Sequence, residues 1–151
     1  MIIVVIFMTI DEIMNIFTLT QPSIADNSRV FALLDLEKKG LSFADFQLIT
    51  KRHTFPPALW ADILGVNIRT YQRRQESRKG LSSAETGAMI EVLQVLNYGI
   101  EVFESADKFD RWLSLSNQTL RGQKPQELLV LASGRKLISD VLGRIDYGVY
   151  A

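Results

Sequence analysis

The stretch FPPALWADILGVNIRTYQRR, Phe55 to Arg74, decides how the rest of this chain is read. It opens on two prolines, breaks at Gly65-Val66-Asn67, and carries arginine at three of its last six positions. Proline costs nothing in the first turn of a helix, where its missing N–H has no partner anyway, so Pro56 and Pro57 predict a helix start. Leu59, Trp60, Ile63 and Leu64 give that helix an apolar face, and Gly65 ends it. Asn67 then caps a second helix running from Ile68 to about Lys79, with Gly80 closing it. A helix-turn-helix needs a small residue where the two helices cross, a glycine able to reach positive φ at the turn, and an inward apolar residue on the second helix. Ala61, Gly65 and Tyr71 meet those needs, with Leu64 and Val66 as further core.

With Ile68 and Tyr71 turned inward, the outward positions are Asn67, Arg69, Thr70, Gln72, Arg73 and Glu76. Recognition helices meet base edges near their N-terminal end, where these residues lie. Arg69 and Arg73 are four apart and share a face. Arginine to guanine, and glutamine or asparagine to adenine, are the common bidentate base contacts. Arg74, Arg78 and Lys79 are placed for phosphates. Charge agrees: residues 51–80 hold 7 basic and 2 acidic side chains inside a chain of zero net charge. The bland alternative is a helical hairpin whose arginines only solvate it; the agreement of alanine, glycine, spacing and polar face favours DNA.

Working outward, the punctuation stays helical. Ser28 caps a helix to Lys39, stopped by Gly40, and Ser42 restarts one with Phe43, Phe46, Leu48 and Ile49 on its face. Ser82 and Glu85 form a capping box for a longer helix reaching about Glu104. Its Met89, Ile90, Leu93, Leu96, Ile100 and Phe103 keep a three-to-four residue spacing. Further helices are expected over Ala106–Leu115, briefly from Pro125, and over Gly134–Tyr147 up to Gly148. Leu137, Ile138, Val141, Leu142 and Ile145 form the inward face of the last. The expected fold is all-α: a helix-turn-helix domain followed by a small helical domain.

The chain has 151 residues, 47% hydrophobic and 23% charged, which suits ordinary folded domains. It has no cysteine, so disulfides and thiolate metal sites are excluded, and the composition suits a reducing, cytoplasmic compartment. A single histidine, His53, leaves no histidine pair for a metal or a catalytic relay. Neither metal nor cofactor is expected, and no nucleophile or phosphate-loop pattern points to an enzyme. The first ten residues, MIIVVIFMTI, are too few to span a bilayer, for which about 20 apolar residues are needed. They read as a tail that packs on the protein or a partner, or as sequence upstream of a true start at Met8 or Met14; a membrane role is the weakest option.

In the second half, Phe109, Trp112 and Leu113 share one helix face, with Trp112 expected as a core anchor. Asn117 suits an Asx-turn, Leu120 plugs the loop onto the core, and Gly122 takes a left-handed conformation. Taken together, Arg111-Trp112-Leu113, Asn117 with Leu120, Gly122, Pro125 with Glu127-Leu128-Leu129, and Leu142-Gly143-Arg144-Ile145 through Gly148-Val149-Tyr150-Ala151 closely resemble the C-terminal toxin-binding domain of the Xre/MbcA/ParS antitoxin family. A weaker match extends back through the helix-turn-helix from about Leu41.

The resemblance implies a type II antitoxin that binds a cognate RES-domain toxin, a class that consumes NAD, and represses its own operon as a homodimer on operator DNA. It divides the chain into an N-terminal segment (1–27) of unknown role, a helix-turn-helix domain (28–103) and a toxin-binding domain (104–151). The expected toxin contacts are Arg144, Asp146, Tyr147, Gly148, Val149, Tyr150 and Ala151, with Arg144 also favourable at the helix end. The tail Val149-Tyr150-Ala151 is expected to enter the toxin's active site, where its free carboxylate and Asp146 meet cationic groups that hold the NAD phosphates. Two departures bear on DNA. Asn67 stands where the family usually has a serine or similar small residue, and Glu76 adds negative charge near the DNA face. A stand-alone helix-turn-helix regulator and an antitoxin that binds protein alone are the competing readings.

Overall fold

The computed structural model describes residue 20 and residues 27–148; the apolar run at residues 1–10 and the tail Val149, Tyr150 and Ala151 lie outside them. The described residues form an all-α fold. In chain order the helices are α1 (Asn27–Lys39), α2 (Phe43–Arg52), α3 (Pro57–Leu64), α4 (Ile68–Ser77), α5 (Ser83–Phe103), α6 (Ala106–Ser114), α7 (Pro125–Leu128) and α8 (Ala132–Asp146), with a 3-10 turn at Gln118–Leu120. The chain forms two compact units, divided between Ile90 and Glu91 inside α5.

The first unit is built around three aromatic rings. Phe46 from α2 meets Trp60 of α3 edge-on at 6.3 Å and Tyr71 of α4 edge-on at 6.1 Å. Ser42 caps α2 by accepting from the Asp45 N–H at 3.1 Å. Between α4 and α5, the Leu81 N–H donates to the Leu41 carbonyl (2.8 Å), while the Leu41 N–H donates to the buried Thr86 hydroxyl (2.9 Å). These long-range bonds clip the start of α5 to the start of α2. In contrast, α1 buries none of its residues.

Several expected details are corrected. Asn27 is the first helical residue of α1, so Ser28 lies inside the helix. Leu48 is exposed, because about 200° of helical rotation separates it from Phe46. Ile68 is 42% exposed instead of inward. Helical side chains lean over the turn before them, and a residue at the first position has no such turn to cover. The second helix of the motif stops at Ser77, two residues early, because Arg78 itself takes the left-handed conformation (φ 54°) and its N–H bonds the Arg74 carbonyl. Gly80 serves a different need: the Leu41 carbonyl approaches where a side chain would stand.

In the second unit Phe109 is fully buried, stacked on Trp112 at 5.9 Å with an 18° tilt, and both rings pack on Phe103 at 5.6 Å. Trp112 is only half-buried, so it borders the core where an anchor was expected. Leu113, Leu120, Leu129, Ile138, Val141 and Leu142 complete that core. The loop after α6 follows expectation, with Asn117 Oδ1 accepting from the Thr119 N–H (2.9 Å) and Gly122 at φ 80°. Helix α8 begins two residues earlier than expected, and its inward face is Arg135, Ile138, Val141 and Leu142. Leu137 is exposed, about 100° away from Ile138 around the helix.

The backbones of α7 and α8 approach closely at Gly134. A Cβ added at Gly134 would stand 1.9 Å from the Leu128 carbonyl oxygen. Alanine is normally better than glycine inside a helix by about 1 kcal/mol. Here the clash with main chain wins, and Gly134→Ala is expected to destabilise the protein by about 1–3 kcal/mol. Urea denaturation checks the sign: a midpoint raised by the substitution would contradict this packing.

Candidate functional site

The turn between α3 and α4 is set by local chemistry. Gly65 sits at φ 70°, ψ 28°, a region that costs an L-side chain strain. Its N–H bonds the Asp62 carbonyl and the Val66 N–H bonds the Ala61 carbonyl, both at 3.0 Å, which is the Schellman pattern. Ala61 is buried, as a crossing residue must be. Asn67 then caps α4, its Oδ1 accepting from the Thr70 N–H at 2.8 Å.

On α4 the structure exposes Asn67, Arg69, Gln72, Arg73 and Glu76, and leaves Thr70 half-buried. Arg78 and Lys79, just beyond the helix, are exposed as well. Asn67 has given its carbonyl oxygen to the cap, so only its amide N–H groups are available to a ligand, and two-point adenine reading falls to Gln72. Glu76 lies on the stripe of Arg69 and Arg73, about 20° from Arg69 around the helix.

Arg74 is placed differently from its sequence expectation. Its Nη2 donates to Glu85 Oε1 at 2.7 Å, and the two side chains are only 11% and 12% exposed. The other guanidinium nitrogen, Nη1, is buried without a hydrogen-bond partner. Its charge is committed inward. Glu85 also closes a capping box at the start of α5: its Oε2 accepts from the Ser82 N–H (2.8 Å) and its own N–H donates to Ser82 Oγ (3.2 Å). Burial pushes the Glu85 carboxyl up, but the bonds from Arg74 and Ser82 outweigh it and hold it below the usual carboxylate range.

In the second unit, the end of α8 gathers Arg144, Asp146, Tyr147 and Gly148, all but Gly148 with side chains open to solvent; Tyr147 is 84% exposed. The Tyr98 hydroxyl on α5 donates to Asp146 Oδ2 at 3.3 Å, tying down one of the expected contact residues. The other three expected contacts, Val149, Tyr150 and Ala151, lie outside the described residues.

Among the described residues, the burial of Arg135 and of His53 is not evident from the sequence. Arg135 is buried, with Nε on Glu91 Oε2 (2.8 Å) and Nη1 on the carbonyls of Leu129 (2.8 Å) and Val130 (3.2 Å). Only its spacing from Ile138 and Leu142 hints at an inward position. His53, ending α2, is buried against Phe55, and its Nε2 has no hydrogen-bond partner.

Comparison with known proteins bears on both units. Residues 99–148 match the family described as antitoxin Xre/MbcA/ParS C-terminal toxin-binding domain. A protein named Antitoxin Xre from Photorhabdus laumondii is 25% identical over 112 residues, which cover 74% of this chain and 76% of that protein.

Burial, aided by the neighbouring Arg52 charge, lowers the His53 pKa from 6.5 to about 4. The unfolded chain therefore takes up a proton at His53 below about pH 6.5 while the native protein does not, and native stability falls until the native group titrates near pH 4. The total loss is about 3 kcal/mol. We predict that the wild-type melting temperature drops across this window and that His53→Gln flattens the drop. Parallel pH profiles for the two proteins would contradict the assignment.

Proposed function

We propose that this chain is a bifunctional antitoxin of the Xre/MbcA/ParS family, a reading supported by the match of residues 99–148 to that family's C-terminal domain. One unit binds and inhibits a RES-type, NAD-consuming toxin. The other represses the protein's own operon through α3 and α4. The match of residues 99–148 to a toxin-binding domain carries the first half of this reading. The capped, outward-facing Arg69, Gln72 and Arg73 on α4 support the second.

A dimer on an inverted repeat is the form that suits such a motif, since one helix-turn-helix buries little DNA surface. Arg69, Gln72 and Arg73 are assigned to base edges, with Asn67 and Thr70 at the helix entry. Arg78 and Lys79 go to phosphates. Arg74 acts indirectly, by holding α4. The toxin is met by Arg144, Asp146, Tyr147 and Gly148, and by the tail Val149-Tyr150-Ala151, with the Asp146 carboxylate suited to cationic groups in a pocket built for NAD phosphates. A second reading, an antitoxin that binds protein alone, draws on two observations: Arg74 is withdrawn into an ion pair, and Glu76 is exposed among the arginines.

Mobility-shift assays on the protein's own promoter decide between the two. Arg73→Ala should cost about 1–3 kcal/mol on the promoter and relax its preference over random DNA. Arg78→Ala should weaken all duplexes alike and flatten the salt dependence. A wild-type protein that prefers its promoter no more than random DNA would favour the protein-only reading. For the tail, deletion of residues 149–151 should leave folding and DNA binding unchanged but weaken inhibition of the purified toxin's NAD consumption. Inhibition at wild-type potency would remove the tail from the mechanism.

A further inference from the structure

The second unit carries an apolar feature that neither the α8 terminus nor the tail explains. Helix α7 and the first half of α8 enclose an open groove of about 520 Å³, lined chiefly by Glu127, Leu128, Val130, Leu131, Gly134 and Leu137. Leu131 and Leu137 are 65% and 41% exposed. Both project from α8 or its cap, on the side away from Ile138 and Leu142.

The groove is built rigidly. Gly134 lets the Leu128 carbonyl lie directly against α8, so one wall is main chain. Arg135 fixes the turn above it by donating to the Leu129 and Val130 carbonyls while Glu91 holds its Nε. Leu131 itself stands at the N-cap of α8, where it forms no side-chain cap. Serine, threonine, asparagine or aspartate there would stabilise the helix by bonding its first free N–H groups. The chain forgoes that gain and instead projects a leucine into solvent.

We propose that this groove is the toxin-docking surface of the second unit, receiving an aliphatic or aromatic side chain of the toxin, with Glu127 at the rim facing a cationic group. The proposal rests on the antitoxin reading above. Two observations select this occupant. All the lining residues fall within residues 99–148, the part matched to a toxin-binding domain, so a protein partner for this unit is already implied. A pre-formed apolar pocket with one carboxylate at its edge suits a protruding apolar side chain better than a polar ligand. The groove lies at the start of α8, and the proposed contacts Arg144, Asp146 and Tyr147 lie at its end, so the toxin is given two separated holds.

The test titrates full-length protein and its Leu131→Asp and Leu137→Asp variants against the purified cognate toxin, by calorimetry. Each variant should bind about tenfold or more weaker, as expected for charge placed in a central apolar contact. Neither variant should unfold the protein, because both side chains are exposed; Leu137→Asp should keep the wild-type melting temperature, and Leu131→Asp, which gives α8 a capping side chain, should keep or raise it. Leu115→Asp, which places the same charge at another exposed leucine of this unit, should bind within about twofold of wild type. If Leu137→Asp loses helicity in circular dichroism, Leu137→Gln carries the same expectation without the charge. Groove variants that retain wild-type affinity overturn the proposal while leaving the antitoxin reading intact. So does a Leu115→Asp loss as large as theirs. Variants that convert a dimer to monomer in light scattering yet keep toxin affinity assign the groove to a second copy, which also overturns it. A wild-type protein that fails to bind the toxin overturns the antitoxin reading itself, and that outcome is visible before any variant is measured.

Discussion

The ion pair between Arg74 and Glu85 is the constraint on which the presentation of α4 depends. It joins the last turn of one helix to the first turn of the next, with both side chains nearly excluded from water. A pair this buried gains little net stability, because desolvation of two charges offsets most of their attraction. Removing one partner is another matter, since the other is left charged and unsatisfied. The pair therefore acts more as a fastener than as a source of free energy. Glu85 is also engaged by the Ser82 cap, so the acceptor is held from both sides. With α4 pinned there and by Tyr71 on Phe46, the faces of Arg69, Gln72 and Arg73 are directed to solvent instead of being left to roll.

A comparable device organises the second unit. Arg135 reaches from α8 to Glu91 on α5 and to two carbonyls of the preceding turn, so one guanidinium ties two helices and a loop. Its Nε and Nη1 are both engaged within the unit, so most of its hydrogen-bonding capacity is spent on the fold. The surfaces left over differ in kind. The first unit offers arginine and amide groups on a capped helix, suited to an anionic, hydrogen-bonding partner. The second offers exposed leucines and an aromatic near one helix end, suited to a protein. That division of chemistry underlies the proposal of two partners for one short chain.

Much of this was legible in the sequence where the governing interaction is local. Gly65 and Asn67 announce themselves because a left-handed cap and a side chain bonding the N–H three residues on are matters of adjacent residues. The same holds for the Asn117 turn and the Ser82–Glu85 box. What escaped is non-local or angular. Arg74 looked like a phosphate contact because nothing nearby in sequence reveals that Glu85, eleven residues on, will take it inward. Arg78 was read as helical because glycine, two residues later, was the obvious stop; the arginine's own left-handed turn has no sequence signature. Leu137 and Leu48 were assigned inward on hydrophobicity alone, although roughly one-quarter to one-half turn of helix separates each from the buried face. The exposed leucines of α8 are where composition-based reading fails and a binding surface is exposed.

The most direct test of the two-partner account is amide hydrogen exchange on the full-length protein, measured free, with its promoter duplex, and with the purified toxin. The account predicts that DNA slows exchange at the entry to α4, around Asn67–Arg73, and leaves α7 and α8 unchanged. Toxin should slow exchange in α7, α8 and the chain end while leaving α4 unchanged. Promoter DNA that protects nothing in α4, or toxin that protects the first unit alone, would contradict it.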